Sequence, residues 1–513
     1  MTDVRVRILR SDPQAGEASH FETYTLPRSE GMRVLDLLRY VHENVDGTLS
    51  FRHLCRSGQC GTCAVMVNGI PRLACKTTVP YGAEEVVLEP LRNFPVVKDL
   101  VIDSEMGRMT PGTIATHLKR AFPVVRPEVI RPGEIVDLRA LRSCIGCGSC
   151  VAACPVVDAI AAEFEGPTIL RRLSELSQDR RDTLSRTATA LASGLYDCTT
   201  CESCWKVCPQ DIRLPEKAIG KLRSAAVSEG CGPLPAHKVL TKSIKNYWNP
   251  WMAPRSQKAD WAKAFSLPPA GRNLFFAGCS ASLLRKGIAA SSVRCLLAVG
   301  EEVAHLGRDE PCCLSPALRV GDDATFDRLA RKNIELVRRS GAERLIVTCA
   351  GCYKTWKEDY PRRCGDLGFE VVHISEVLDS ALADGRLKMR DEPANHIDIA
   401  YHDPCHLGRA MGIYEAPRRV LAAVPGLSLL EMEMNRENAL CCGSGGGVKT
   451  AKPSLSLAIG ARRLLMAERA GAHQIASCCP WCEQNMDDCQ EAAAALWNRS
   501  IDMVEIVARA LEE

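Results

Sequence analysis

The cysteines of this chain constrain its fold more than any other feature of the sequence. There are 27 cysteines among 513 residues, and 22 of them fall into five groups with spacings typical of iron–sulfur sites. Disulfide frameworks belong to small secreted chains, whereas this chain is large and repeats the C-x2-C pattern of metal sites. The pattern therefore predicts five clusters in one electron-carrying polypeptide that lies in a reducing cytoplasm.

Charge and hydropathy exclude several other classes of protein. The 65 Lys and Arg residues and 62 Asp and Glu residues leave a net charge of +3, without a long run of one sign, so no nucleic-acid partner is predicted. No apolar stretch of bilayer length occurs, so no membrane span is predicted. The alternating N-terminal residues lack the apolar core of a signal peptide. We therefore expect a multidomain chain of mixed α+β and α/β class.

The first segment, residues 1–105, is predicted to be a β-grasp ferredoxin domain. VRVRILR and FETYTL alternate like strands, RVLDLLRYVHENV has a helical apolar period, and Asn68-Gly69 predicts a hairpin turn. The following cysteines have the plant-type C-x4-C-x2-C…C spacing of a [2Fe-2S] cluster, which zinc sites do not share. The predicted ligands are Cys55, Cys60, Cys63 and Cys75.

The residues that follow this cluster carry a first resemblance. LEPLRNFPVVKDLVID resembles the corresponding stretch in the iron–sulfur subunits of succinate dehydrogenase and fumarate reductase. The resemblance implies that this domain docks on a flavoprotein and exchanges electrons with its FAD.

The second segment, residues 106–236, is predicted to be an all-α ferredoxin with two cubane [4Fe-4S] clusters. It contains C-x2-C-x2-C-x3-C-P twice, and the fourth cysteine of each such run serves the other cluster. One predicted set is Cys144, Cys147, Cys150 and Cys208, and the other is Cys198, Cys201, Cys204 and Cys154. Succinate dehydrogenase subunits usually have another residue in place of one cysteine of the second run. All four cysteines are present here, and in this respect the segment resembles the electron-transfer subunit of heterodisulfide reductase.

Residues 237–272 are predicted to be a linker. It carries three of the seven tryptophans, Trp248, Trp251 and Trp261, among basic residues and prolines. Two interpretations stay open: the linker packs over a domain interface, or it contacts a membrane headgroup layer, where Trp and Lys are favoured.

The third segment contains an internal repeat. GAERLIVTCAGCYKTW at 341 and GAHQIASCCPWCEQNM at 471 align with an offset of 130, and the cysteines before them align with similar offsets. We expect two α/β modules, residues 273–390 and 391–513, that share one plan and are related by a pseudo-twofold axis.

Both modules contain the cysteine-rich CCG pattern. Adjacent cysteine side chains diverge, and five ligands per site favour a cluster more open than a cubane. The pattern resembles the catalytic subunit of heterodisulfide reductase, and this resemblance implies a noncubane [4Fe-4S] cluster in each module. The predicted ligands are Cys279, Cys312, Cys313, Cys349 and Cys352 in the first module, and Cys405, Cys441, Cys442, Cys479 and Cys482 in the second.

Local sequence refines the expectation for each module. Asp403 and Pro404 predict a helix start that places Cys405 in the first turn, where the helix dipole favours thiolate. His402 and His406 flank Cys405 as either proton donors or packing residues. Leu314 replaces the glycine of the first CCG motif. The repeat alignment selects Cys479 rather than its neighbour Cys478 as the ligand.

Taken together, the three segments are similar to the iron–sulfur subunits of thiol:fumarate reductases over nearly the whole chain. The resemblance implies that coenzyme M and coenzyme B thiols bind between the CCG modules and form the heterodisulfide, while two electrons leave through the clusters to FAD on a partner flavoprotein. Fumarate would be reduced there, because this chain has no GxGxxG-led dinucleotide fold.

Two other functions stay open at this point. In a quinone-linked succinate dehydrogenase or fumarate reductase, the CCG modules would contact the inner face of the membrane as a peripheral anchor. In another CCG oxidoreductase, the chain would be an electron-transfer module alone, although LEPLRNFPVVKDLVID argues against that function.

Overall fold

The computed structural model describes residues 3–16, 18–80, 82–104, 115, 117–124, 126–129, 131–160, 163–390, 396–492 and 500–511. The chain forms two compact units: residues 1–195 with 202–222, and residues 196–201 with 223–513. None of the helices in the described part combines the length and hydropathy needed to span a bilayer.

The first unit begins with a mixed five-stranded sheet in the order β2-β1-β5-β3-β4. Strand β1 is parallel to β5, and the other pairs are antiparallel. The helix buries Val34, Leu37, Leu38 and Val41 as its period predicts, and Asn68 and Gly69 form the β3–β4 turn with positive φ angles. The elements are β1 (Val4–Arg10), β2 (His20–Leu26), α1 (Val34–Asn44), β3 (Ala64–Val67), β4 (Ile70–Leu73) and β5 (Glu85–Glu89), followed by the two-stranded pair β6 (Val96–Lys98) and β7 (Val101–Ile102).

Helices alone form the regular structure described between residues 131 and 230, as the sequence predicts for the two-cluster segment. They are short, and loops that carry cysteines separate them. They are α2 (Pro132–Arg142), α3 (Ser149–Ala152), α4 (Pro155–Ile160), α5 (Gly166–Ser177), α6 (Thr187–Ala192), α7 (Ser203–Lys206) and α8 (Lys221–Ser228).

The second unit contains two parallel four-stranded sheets. Their orders are β11-β10-β8-β9 and β13-β12-β14-β15. Each sheet has the first strand of its module at an inner position, paired with the strand that precedes the C-x2-C cysteines. The strands are β8 (Asn273–Phe276), β9 (Val303–Ala304), β10 (Arg344–Val347), β11 (Glu370–His373), β12 (Ile397–Tyr401), β13 (Leu427–Leu430), β14 (Gln474–Ser477) and β15 (Ile501–Asp502).

The helices of the two modules pack against each other in matching pairs. Module 1 contains α10 (Gly278–Leu283), α11 (Lys286–Ala298), α12 (Ser315–Arg319), α13 (Asp323–Arg339), α14 (Ala350–Lys354), α15 (Tyr360–Cys364) and α16 (Ile374–Ala383). Module 2 contains α17 (Gly408–Met411), α18 (Glu415–Ala422), α19 (Val448–Ala451), α20 (Pro453–Arg469), α21 (Pro480–Ala492) and α22 (Met503–Ala510). The helix just before the second strand of each module contacts the helix after the last strand of the other, α11 with α22 and α18 with α16. This reciprocal pairing agrees with the predicted pseudo-twofold relation.

The predicted linker is ordered and packed against the modules. It overlaps helix α9 (Pro235–Tyr247) and a 3-10 segment, Arg255–Ala264. The rings of Trp251 and Trp481 lie 5.5 Å apart, and Trp261 packs 5.7 Å from Phe275 and is almost fully buried. This packing favours the connector interpretation for two of the three linker tryptophans.

Candidate functional site

The loop after α1 arranges backbone donors around the first predicted ligand. The Sγ of Cys55 accepts hydrogen bonds from the backbone N–H groups of Ser57 (3.5 Å), Gln59 (3.2 Å) and Cys60 (3.3 Å). The bonds from Ser57 and Cys60, that of Ser57 first, lower the pKa of Cys55 to about 5. A sulfur that is ionised and bonded in this way suits an anionic metal cluster.

The four predicted [2Fe-2S] ligands lie close together. Cys55 is in side-chain contact with Cys60, and Cys63 with Cys75. Burial raises the pKa of Cys63 to about 12, and the charges of the neighbouring thiols Cys75 and Cys60 act in the same direction. A metal ion would remove this like-charge repulsion, so the donor set fits a two-iron cluster.

The first predicted cubane set converges on a small cavity. Cys144, Cys147, Cys150 and Cys208 all line a cavity of ≈ 30 Å³ in the first unit. Cys208 comes from the second C-x2-C-x2-C-x3-C-P run, as the exchange of fourth ligands predicts. Burial raises the pKa of Cys150 to about 12, so this sulfur is ionised only with a cation beside it.

The [2Fe-2S] loop touches the loop of this cubane set. Gly61 has a φ of +75°, and a Cβ on it would lie 2.9 Å from the Cβ of Cys147. Only glycine allows this approach, which brings the two predicted ligand loops into direct contact within the first unit.

The second predicted cubane set is divided between the units. Cys154 and Cys204 belong to the first unit, whereas Cys198 and Cys201 belong to the second. Within the second unit, Arg223 Nη2 donates to the carbonyl oxygen of Cys198 (2.8 Å), and Arg409 Nε donates to that of Cys201 (2.7 Å). Two buried guanidinium groups therefore fix the 198–201 loop.

All ten predicted CCG ligands line one cavity of ≈ 120 Å³ in the second unit. The wall also includes apolar side chains and Arg319, the single residue with a permanent charge among the described lining residues. The two modules thus share one chamber. Its ligand residues are Cys279, Cys312, Cys313, Cys349, Cys352, Cys405, Cys441, Cys442, Cys479 and Cys482.

The thiols of module 1 form a continuous chain of side-chain contacts. Cys279 contacts Cys312, which contacts Cys313, and Cys313 contacts Cys352, which contacts Cys349. Five sulfurs this close repel one another once ionised, so the set fits a metal cluster that takes up the charge.

Module 2 has the same series of thiol contacts, and it also contacts two cysteines outside the module. Cys405, Cys441, Cys442, Cys482 and Cys479 contact one another in that order. At one end Cys479 contacts Cys349 of module 1. Along the chain, Cys441 contacts Cys201 of the second cubane run. Module 2 therefore adjoins both module 1 and the cubane loop.

The turn after each Cys-Cys pair is the same despite the Leu314 replacement. Gly443 N donates to Cys441 Sγ (3.3 Å) with φ +94°, and Leu314 N donates to Cys312 Sγ (3.4 Å) with φ +69°. A left-handed leucine costs about 1–2 kcal/mol, and complete burial of its side chain compensates for this. Leu314 therefore preserves the ligand geometry of module 1.

The predicted helix start at Cys405 is wrong. Cys405 lies in a turn, and helix α17 begins only at Gly408. The Asp403 carboxylate is engaged elsewhere: it binds Arg418 through two bonds of 2.6 and 2.9 Å and accepts from the backbone N–H of Arg436. An ion pair with a nearly buried arginine has displaced the helix cap.

The structure separates the adjacent cysteines Cys478 and Cys479. Cys479 lines the cavity, whereas Cys478 lies against Met503 Sδ (3.8 Å) and does not line the cavity. This placement agrees with the choice that the repeat alignment makes.

The two candidate histidines have different surroundings. His406 lines the cavity, and burial lowers its pKa well below the usual value. His402 does not line the cavity, and burial lowers its pKa to about 3. Arg463 Nε donates to its Nδ1 (3.1 Å). Burial therefore favours the neutral form of both rings.

Several residues that hold the ligand loops were not predicted from the sequence. Arg223 and Arg409 anchor the 198–201 loop, as described above. Asn333 Nδ2 donates to the carbonyl oxygen of Cys312 (2.8 Å), and Asn485 Nδ2 donates to that of Cys442 (2.6 Å). A helical asparagine is not part of any recognisable sequence motif, so these contacts could be found only from the structure.

Three protein families match separate parts of the chain. Residues 5–107 match a 2Fe-2S iron-sulfur cluster binding domain, and residues 140–212 match a 4Fe-4S dicluster domain. Residues 273–357 and 399–487 each match the CCG cysteine-rich domain. The mixed α/β architecture thus combines two ferredoxin-like parts with a CCG repeat.

Individual relatives extend these matches over the whole length. A fumarate reductase (CoM/CoB) subunit from Methanothermobacter marburgensis is 35% identical over 493 residues, 95% of each chain. A subunit of dihydromethanophenazine:CoB–CoM heterodisulfide reductase from Methanosarcina mazei is 33% identical, over 73% of this chain and 95% of its own. EtfAB:quinone oxidoreductase from Syntrophomonas wolfei is 28% identical, over 73% of this chain and 59% of its own.

Proposed function

We propose a function for this chain, which belongs to the family of the Methanothermobacter fumarate reductase (CoM/CoB) subunit. In the cavity between its CCG modules, coenzyme M and coenzyme B thiols are oxidised to their heterodisulfide. The chain is an iron–sulfur oxidoreductase subunit, as its relatives are. Oxidation of two thiols to one disulfide releases two electrons and two protons. The electrons pass to the FAD of a partner flavoprotein, where fumarate takes up two electrons and two protons.

One observation carries this proposal: ten cysteines of two CCG motifs line a single chamber. A pure relay between distant centres needs no shared cavity, whereas joining two thiols needs both of them in one place. The wall, which includes Trp251 and Trp481, surrounds the reacting sulfurs with mostly apolar groups.

The residues of the chain position and neutralise the reactants. Arg319 is available to hold an anionic group of a thiol, because its Nε has no hydrogen-bond partner in the described part of the chain, although its Nη2 pairs with Asp359. Arg409 carries a buried cation beside Cys405 and Cys441, and it offsets negative charge on those sulfurs.

We assign all 22 predicted cysteines as ligands of one [2Fe-2S], two cubane and two noncubane [4Fe-4S] clusters. When bound, these groups supply one-electron carriers and Lewis-acidic iron to the thiolates. Within the first unit the contact of Gly61 with Cys147, and within the second the contact of Cys441 with Cys201, each bring two ligand sets together and support electron transfer between them. In this proposal the first segment is a β-grasp domain, the five segments have the boundaries predicted from the sequence, and the protein lies in the cytoplasm.

A quinone-linked activity is the second candidate. The match to EtfAB:quinone oxidoreductase supports it, and so do three exposed apolar side chains in and beside α9: Val239 (53% exposed), Tyr247 (41%) and Met252 (57%). Such side chains could rest on the inner face of a membrane and bring a quinone to the modules.

An anaerobic assay of the co-purified flavoprotein complex separates the two functions. One tube receives fumarate with coenzyme M and coenzyme B, and the other receives fumarate with a quinol. We expect succinate in the first tube and about 18 iron atoms per chain from the proposed cluster types. Turnover only with quinol would reject the thiol proposal.

A further inference from the structure

His402 is a buried side chain whose ring lies beside two predicted cluster ligands. It follows strand β12 and is 1% exposed. One of its ring nitrogens and the Sγ atoms of Cys442 and Cys482 all lie within 4.8 Å of one another. Its Nε2 has no hydrogen-bond partner among the described residues. A buried polar atom of this kind requires a partner, and the sulfurs of Cys442 and Cys482 lie close to the ring.

The tautomer of His402 follows from its contact with Arg463. The Nε of Arg463 donates to His402 Nδ1 over 3.1 Å, and a guanidinium group can only donate. Nδ1 is therefore the acceptor, and the ring proton is on Nε2. The guanidinium is held in place by a second bond, from Nη1 to the carbonyl oxygen of Met434 (2.6 Å). An Nε2 that carries a proton cannot ligate a metal, but it can donate to sulfur.

The same position in module 1 lacks both members of this pair. Strand register pairs Tyr401 with Ala476 in module 2 and Phe275 with Ile346 in module 1, so that Phe276 is the counterpart of His402. The 130-residue offset between α13 and α20 makes Asn333 the counterpart of Arg463. The two modules therefore differ at both positions. Module 2 has the hydrogen-bonded pair His402 and Arg463, whereas module 1 has the apolar ring of Phe276 at the position of His402.

We propose that His402 donates an Nε2–H hydrogen bond to a sulfur of the module 2 centre and that this bond makes module 2 easier to reduce than module 1. A donated hydrogen bond stabilises the more negative, reduced state of an iron–sulfur centre. Module 2 is also the module that adjoins the cubane loop, through Cys441 and Cys201. The bond thus directs electrons out of the chamber toward the cubanes. This inference rests on the clusters of the proposed function, and His402 acts as a positioning residue.

Pulsed electron paramagnetic resonance on the complex tests the hydrogen bond. Protein labelled with ¹⁵N-histidine is reduced until the module 2 centre is paramagnetic. We expect one weak ¹⁵N coupling and one exchangeable proton coupling at that centre. The absence of both, or a ¹⁵N coupling strong enough for a direct iron–nitrogen bond, would overturn the inference, and this measurement needs no variant.

Three variants assign the signal and test its effect on potential. His402→Phe copies module 1, and it should abolish the coupling and lower the midpoint potential of one noncubane centre while the other centres are unchanged. His402→Gln keeps an N–H donor and should restore most of the potential, whereas a purely structural role would leave both variants alike. The exposed His473 provides the control His473→Phe, which should change nothing.

The same samples distinguish failure of the inference from failure of the proposed function. If module 2 binds no iron, the proposed function fails. If module 2 holds a centre whose potential is the same in His402→Phe and in the unaltered chain, the inference alone fails.

Discussion

Two neighbouring cysteines show how strongly the surroundings of a single residue determine its role. Cys479 lines the chamber and contacts Cys482 and Cys349, whereas Cys478 is packed beside Met503. Their sequence context is almost the same, but successive side chains at the end of strand β14 point in different directions.

The first prediction uses this pair as variant and matched control. Cys479→Ala should remove the module 2 centre and about four iron atoms per chain, because a cluster ligand is lost. Cys478→Ala should retain the iron and the spectrum, with a loss of stability of about 1 kcal/mol from the smaller buried side chain. Iron analysis with electron paramagnetic resonance checks both variants. Iron loss in Cys478→Ala alone would reverse the ligand assignment.

The second prediction concerns Arg319 on the chamber wall. Arg319→Met should raise the KM for a thiol that bears an anionic group by about tenfold or more, since a hydrogen bond to a charged group is worth roughly 1.5–3 kcal/mol. Iron content should not change. Arg362→Met is the matched control, because Arg362 also binds Asp359 (2.7 Å) but does not line the chamber.

Steady-state kinetics of both variants decides this prediction. An equal rise of KM in both would mean that the Asp359 ion pairs, rather than a contact with substrate, set the affinity.

At the scale of elements, the glycine loop 443–447 packs against the 198–201 loop. A Cβ on Gly446 would lie 2.3 Å from the carbonyl oxygen of Cys198, and a Cβ on Gly445 would lie 2.3 Å from that of Thr199. Gly445 and Gly446 therefore let a cubane loop approach module 2 closely.

The third prediction separates this contact from backbone strain. Gly446 and Gly412 both have positive φ angles, +63° and +77°, but a Cβ on Gly412 would meet nothing within 4 Å. Gly412→Ala should cost about 1 kcal/mol from strain alone. Gly446→Ala should cost about 3 kcal/mol through overpacking and should also alter the cubane spectrum.

Thermal unfolding and the cubane spectrum together provide the measurement. Equal melting temperatures and unchanged spectra in the two variants would show that the glycine loop does not hold the cubane loop.

Local sequence predicted most elements of the fold correctly. The alternating residues of β1 and β2 and the apolar face of α1 correspond to observed elements, because each depends on residues near one another in the chain. The 130-residue repeat corresponds to the two matching sheets, because each copy carries the same local pattern of strands and cysteines. The helix start at Cys405 was wrong because Arg418, fifteen residues away, takes the Asp403 carboxylate. Anchors such as Arg409 could not be predicted, because their partner loops lie about 200 residues away in sequence.

At the scale of the whole molecule, the second unit contains both the CCG chamber and a loop of the second cubane set that contacts it. The chamber contains the thiols of both modules, and contact with Cys201 continues from Cys441 of module 2. In the first unit, the Gly61 contact links the cubane loop that contains Cys147 to the [2Fe-2S] loop. In the proposed function, electrons that leave the chamber reach the domain that resembles the flavoprotein-docking ferredoxins.

The fourth prediction tests this direction of flow and is the most direct measurement of the central claim. The loaded complex is mixed anaerobically with coenzyme M and coenzyme B, without fumarate, and the [2Fe-2S] signal is followed by freeze-quench electron paramagnetic resonance. The thiols should reduce the [2Fe-2S] centre of the unaltered chain but not that of Cys442→Ala, whereas dithionite should reduce it in both. Failure of the thiols to reduce it in the unaltered chain, or equal reduction by thiols in the variant, would contradict the claim that electrons enter at the CCG chamber.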